Sequence, residues 1–163
     1  MSRDRRARLV HLGDARYAGT TGTGRSVTYG DDAAAGELSP VEMIVVSLAG
    51  CSAMDVYSIA VKKRQAIERY EIDAVGQQRD EYPQVLTEVT VTHEVWGTNL
   101  AEAAIRRAIE LSATKYCPVN AMVSAGATTV HHRYRIHSDG AQPYEAEGEV
   151  LATGPYRRPD VLA

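Results

Sequence analysis

The chain has 163 residues, 44% of them apolar and 24% charged, and a formal net charge of −3. These values fit one soluble globular domain with its own core and give no reason to expect a nucleic acid partner; the basic start at Arg3, Arg5, Arg6 and Arg8 reads as solvated surface. No apolar run follows the charged first residues, so the expected location is cytoplasmic, where two cysteines are free or redox-active thiols rather than a structural disulfide.

Residues 7–30 form short runs broken by Gly13-Asp14 and by Gly22-Thr23-Gly24, a pattern that predicts an antiparallel meander of three strands. A polar loop, Asp31–Leu38, leads into the most apolar stretch of the chain, Ser39–Arg64. There Ser39 and Glu42 make a capping box, Pro40 fits the first helical position, and Lys62, Lys63 and Arg64 suit the C-terminal end of the dipole. Val41, Met43, Ile44, Val45, Val46, Leu48 and Ala49 are apolar nearly all round the helix, which predicts a buried central helix. Glu42 and Asp55 bracket the apolar run, so a bilayer span is not expected.

Tyr70, Ile72 and Ala74 then alternate with charged residues, predicting a strand to about Gln78, and Asp80–Pro83 reads as a turn. Val85, Val89, Val91 and Val95 share one face of a second long strand. Asn99 offers an N-cap to an amphipathic helix over Leu100–Ala113, which Tyr116-Cys117-Pro118 interrupts. A short helix, Val119–Ser124, closes at Gly126, and Ala127–His137 reads as a final strand ending at Asp139-Gly140. Residues 141–163, with Pro143, Pro155 and Pro159, read as an extension of low order, with room for a short strand near Glu147–Leu151.

Both cysteines sit at helix irregularities. Cys117 precedes a helix-starting proline, where free N–H groups favour thiolate. Cys51 follows Gly50; a kink there would let Ser52 and Asp55 cap a restarted helix, with Cys51 facing free N–H groups. Asp55, four residues on, works against thiolate at Cys51. The alternative is two separate core residues, since cysteine is among the most buried residue types.

SPVEMIVVSLAGCSAMDVYSI and KYCPVNAMV resemble the two signature segments of the OsmC/Ohr superfamily, the osmotically inducible and organic-hydroperoxide-resistance proteins, and the order of elements over residues 7–137 is similar. The resemblance implies an OsmC-like domain over residues 1–140 of α+β class: an antiparallel sheet wrapped around long central helices in an intertwined homodimer. It further implies reduction of organic hydroperoxides without metal, haem or flavin. Cys51 matches the peroxidatic position and Cys117 the resolving one. The cycle would pass through a Cys51 sulfenic acid and a Cys51–Cys117 disulfide, reduced by an external dithiol such as a lipoyl group. Leu48 and Met54 would favour an apolar peroxide.

The family's reductases place an activating glutamate ten residues before that cysteine. Here Val41 holds that position and Glu42 stands nine before, which on a straight helix is about 13 Å and about 180° away. They also use an arginine from the meander, for which Arg16 and Arg25 are the candidates. The competing reading is an OsmC-like dimer that binds a small hydrophobic or thiol-reactive ligand without turnover. His131 and His132, adjacent on a strand, point to opposite faces and cannot share a metal. His93 reads as a core or interface histidine, and the GTTGTG segment as a hairpin turn rather than a phosphate loop.

Overall fold

The computed structural model describes residues 4–30 and 37–154; Arg3, residues 31–36 of the expected loop, and Pro155 and Pro159 lie outside them. The chain divides into two compact units, Met1–Ile44 and Val45–Ala163.

In the first unit β1 (Ala7–Gly13), β2 (Arg16–Thr21) and β3 (Ser26–Tyr29) form the expected antiparallel meander. Gly13 at φ 112° and Asp14 at φ 49° make the first turn, a backbone region that glycine enters without steric cost. Helix α1 (Pro40–Lys62) starts at the end of this unit. Its capping box is closed: the Glu42 N–H donates to Ser39 Oγ at 3.2 Å, and the Ser39 N–H donates to Glu42 Oε2 at 2.7 Å.

The second unit holds a four-stranded sheet in the order β4-β5-β6-β7, from β4 (Ala66–Gln78), β5 (Leu86–Thr98), β6 (Thr129–Asp139) and β7 (Tyr144–Thr153). Val85 lies just outside β5 and is exposed. The outer pairs are antiparallel, as expected for this fold, but the central β5–β6 pair is parallel. Parallel neighbours need a long crossover. The crossover is helix α2 (Glu102–Leu111), a π-helical turn (Ser112–Tyr116) and helix α3 (Pro118–Ser124).

β6 is not the last strand. The short strand expected near Glu147–Leu151 is the full-length edge strand β7, antiparallel to β6 from Ser138↔Tyr144 to Val130↔Thr153. Its exposed residues are Glu145, Glu147 and Glu149, and Tyr144, Ala146 and Val150 pack against the core, so the strand alternates without the run of large apolar side chains that marks β5. Asn99 does not cap α2: it turns the chain at φ 51°, and Ala101 takes the N-cap position with no side-chain bond. The Ala101 N–H donates instead to Gln65 Oε1 at 2.7 Å.

On the inner face of the sheet, Val89, Val91, His93 and Val95 stand beside Val130, His132, Tyr134 and Ile136, all buried. Val56 and Ala60 of α1 and Ile105, Ala108 and Ile109 of α2 close this core. Each valine or isoleucine side chain among them contributes about 1.5–3 kcal/mol by leaving water.

Helix α1 departs from the sequence expectation in two ways. It is long and apolar enough to cross a membrane by length and composition, Glu42 and Asp55 notwithstanding. It is also not buried on most faces. Leu48, Ser52, Val56 and Ala60 form one fully buried stripe, the packing of a core helix, while Val46, Met54, Tyr57 and Val61 stay exposed. At 100° per residue these four exposed residues fall within an arc of about 80° on the opposite side.

Candidate active site

Cys51 lies in the middle of α1, and Asp55 lies one turn further on the same face. The helix is continuous through Gly50, so the kink that would have turned Cys51 towards free N–H groups does not occur. Four-residue spacing instead sets the thiol and the carboxylate side by side. On the helical wheel both stand between the buried stripe and the exposed one.

Cys117 arrives from the crossover. The π-helical turn ends α2, Pro118 starts α3, and Cys117 is the N-cap between them, with φ −76° and ψ 102°. Its Sγ accepts a hydrogen bond from the Asn120 N–H at 3.2 Å. The two sulfurs and the Asp55 carboxylate lie within 4.8 Å of one another. Ser112 Oγ, on the π-helical turn, donates to Asp55 Oδ2 at 3.3 Å.

The electrostatics differ from what a helix N-terminus suggests. Cys117 is only 2% exposed. Burial pushes its thiol up to about 12, with the neighbouring Cys51 adding to the rise, and the Asn120 and Val119 N–H groups offset only part of this. Burial likewise raises the Asp55 carboxyl, against the Ser112 hydrogen bond. Desolvation of the charged form outweighs the local dipoles.

Behind Cys117 runs a buried chain of hydrogen bonds that the sequence did not reveal. Tyr70 Oη donates to His93 Nδ1 at 2.7 Å, His93 Nε2 meets His132 Nδ1 at 3.5 Å, and His132 Nε2 donates to Asn120 Oδ1 at 2.9 Å. The Asn120 Nδ2 donates to the Ala113 carbonyl at 2.8 Å, which fixes the amide orientation. One tautomer set satisfies every link: both imidazoles neutral, each donating from Nε2 and accepting at Nδ1. Burial lowers His93 to about 3, helped by His132, and lowers His132 to about 4, helped by His131. His132 is buried and His131 half-buried on the other face, as their adjacency implied.

The other sequence candidates are engaged elsewhere. The Glu42 carboxylate serves the capping box, and the Ser39 N–H holds it below the usual carboxylate range. Arg16 pairs with Glu37 within the first unit, Nε donating to Oε1 at 2.7 Å. Arg25 is an exposed residue at the β2–β3 turn. Of the apolar neighbours expected to select substrate, Leu48 is sealed in the core and Met54 is 77% exposed. Asp55, Ser112 and Asn120 are what the sequence reading missed as a group. Asn120 three residues after a Cys-Pro N-cap was the available signal, since that position places its N–H on the cap atom.

Comparison with known proteins accords with this architecture. The OsmC-like protein family model matches residues 30–133. Protein YhfA of Escherichia coli (strain K12) is 32% identical over 130 residues, 80% of this chain and 96% of YhfA. A hypothetical protein from Aquifex aeolicus VF5 superposes with a TM-score of 0.76 at 28% identity, covering 85% of this chain and 99% of that one. An organic hydroperoxide resistance protein OsmC from Legionella pneumophila shares the fold alone, with a TM-score of 0.58 at 13% identity over 82% of this chain and 96% of that one. With the matched segment carrying α1, its cysteine and the Cys-Pro cap, the chain belongs to the OsmC-like protein family.

Proposed function

We propose that this protein reduces organic hydroperoxides with its two cysteines. The observation that carries the reading is the approach of the Cys51 and Cys117 sulfurs to within 4.8 Å, from elements 66 residues apart in sequence (117 minus 51). A disulfide requires about 2.05 Å, so rotation of two short side chains with a small adjustment of the Cys117 cap joins them.

Cys51 is the attacking group because it is the more accessible of the pair. Its thiol gives a proton to water, and the sulfur forms a bond to one peroxide oxygen as the O–O bond breaks. The departing alkoxide takes up a proton and leaves as alcohol; Cys51 is oxidised to sulfenic acid and the peroxide is reduced. The Cys117 sulfur then bonds to Cys51, the S–O bond breaks, and hydroxide leaves as water with the thiol proton. An external dithiol reduces the disulfide by exchange. Burial of Cys117 keeps its thiol protonated and unreactive to peroxide, which assigns it the second step.

The working unit is a homodimer. Val46, Met54, Tyr57 and Val61 give α1 an uncovered apolar arc beside Cys51, and a second copy seated there would bury it and wall the thiol from bulk water. Resemblance to organic hydroperoxide resistance proteins supports the substrate class.

The test mixes reduced protein with cumene hydroperoxide and dihydrolipoamide. Wild type consumes peroxide and Cys51→Ser does not; mass spectrometry after peroxide alone finds the Cys51–Cys117 disulfide. Equal consumption by both proteins, or none by either, refutes the enzyme and leaves the ligand-binding alternative. A monomer by sedimentation refutes the dimer.

A further inference from the structure

The cluster at the two cysteines has a second chemical capacity, which rests on its geometry and not on peroxide turnover. We propose that Cys51, Asp55 and Cys117 form a site for a thiophilic divalent cation of the zinc class. Zinc is bound by thiolates at about 2.3 Å and by carboxylates at about 2.0–2.2 Å, so the edges of a tetrahedral site are about 3.8 Å between sulfurs and about 3.5 Å from sulfur to oxygen. All three donors already lie within 4.8 Å of one another. Contraction by about 1 Å, within reach of side-chain rotation in residues this short, completes the three-ligand face.

The charge pattern points the same way. Three acidic groups converge here, and among the described residues Asp55 has no ion pair with lysine, arginine or histidine. A dication binds all three donors as anions and releases their protons. Two sulfurs and one oxygen select a soft metal; calcium and magnesium require six or more oxygen ligands.

The outer support is already built. Ser112 Oγ orients the Asp55 carboxylate, and the Asn120 N–H donates to Cys117 Sγ, as the groups behind metal ligands do. Asn120 is itself fixed by Ala113 and by His132. Two ligands ride one turn of a continuous helix, and the third is an N-cap beside a π-helical turn. Three protein ligands leave the fourth position to water or an incoming thiol, and the partly exposed Cys51 gives access. Metal and disulfide are mutually exclusive, so the cation blocks peroxide attack and oxidation of the pair expels it.

The test titrates the reduced full-length protein, without peroxide, with Co²⁺ and then Zn²⁺ in competition with a chromophoric chelator. One Co²⁺ per chain should bind with thiolate-to-cobalt charge-transfer absorption and tetrahedral ligand-field bands, and Zn²⁺ should displace it. Asp55→Asn should weaken binding by at least about tenfold. Cys51→Ser should roughly halve the charge-transfer band, and peroxide-oxidised protein should bind neither metal. A six-coordinate cobalt spectrum, no charge-transfer band at about 100 µM Co²⁺, or affinity unchanged by Asp55→Asn overturns the site. The wild-type spectrum decides even where a variant fails to fold. Peroxide consumption measured in excess chelator reports on the catalytic reading separately.

Discussion

The buried imidazole pair should make this protein acid-labile by an amount that the structure sets. His93 and His132 are fully buried, neutral and hydrogen-bonded in series. Their folded values are about 3 and about 4, against 6.5 for the free side chain. Above pH 6.5 both states hold the rings neutral and neither ring makes stability depend on pH. As pH falls below 6.5 the unfolded chain takes up a proton at each ring that the folded protein refuses, so stability is lost until the folded values are reached. The slope is about 1.4 kcal/mol per pH unit for each ring, or about 2 kcal/mol each and about 4 kcal/mol together at pH 5. Set against a typical total of about 5–15 kcal/mol, this is a large fraction. Asp55 acts in the opposite sense, because a carboxyl raised by burial favours the folded state as it protonates. The assay is therefore a comparison: urea unfolding of wild type and His132→Gln from about pH 7.5 to pH 5 at one protein concentration. His132→Gln should be less stable at the upper pH yet lose about 2 kcal/mol less on acidification. Parallel slopes for the two proteins, or imidazole resonances of His93 and His132 titrating near 6.5, would refute the reasoning.

His137 should behave in the reverse way. Its Nε2 lies 3.0 Å from Glu94 Oε1 and its Nδ1 3.2 Å from Glu145 Oε1, and the Glu94 hydrogen bond leads in raising its pKa. The stabilisation it brings is present below pH 6.5 and lost as pH rises through its folded value; NMR titration should find that midpoint above 6.5, with Glu94→Gln moving it down. Gly97→Ala should cost at least about 2 kcal/mol in urea unfolding, since a Cβ would collide with the Ala66 backbone carbonyl oxygen and stand 3.1 Å from Leu100 Cδ2. Ser52 Oγ is buried without a hydrogen-bond partner among the described residues, so Ser52→Ala should be neutral or stabilising by about 1 kcal/mol; a clear loss of thermal stability would contradict this. Cys117→Ser should leave peroxide-dependent labelling of Cys51 by dimedone intact, and stronger, because the sulfenic acid then has no internal thiol to consume it.

Local chemistry was legible in the sequence. Capping at Ser39 and Glu42, the turn at Gly13-Asp14, alternation in β4 and β5, and the Cys-Pro N-cap each depend on neighbours a few residues away, and each is found where it was read. The signature segments around Cys51 and Cys117 carried the family. The same local character explains the misreadings: a glycine that permits a kink does not require one, and a hydrophobic helix does not declare which of its faces its own chain will cover. β7 alternates glutamate with small residues and becomes a strand because β6 offers it an edge.

Tertiary structure alone decided what surrounds the thiols. The parallel pairing of β5 and β6 forces a helical crossover, and that crossover delivers Cys117, Ser112 and Asn120 to the side of α1 that carries Cys51 and Asp55. It also buries Cys117, so desolvation outweighs the helix N-terminus that the sequence advertised. Hydrogen-bonding and turn preferences act over a few residues and can be read along the chain. Desolvation and donor convergence depend on atoms brought together from distant segments, and they exist only once the sheet has formed.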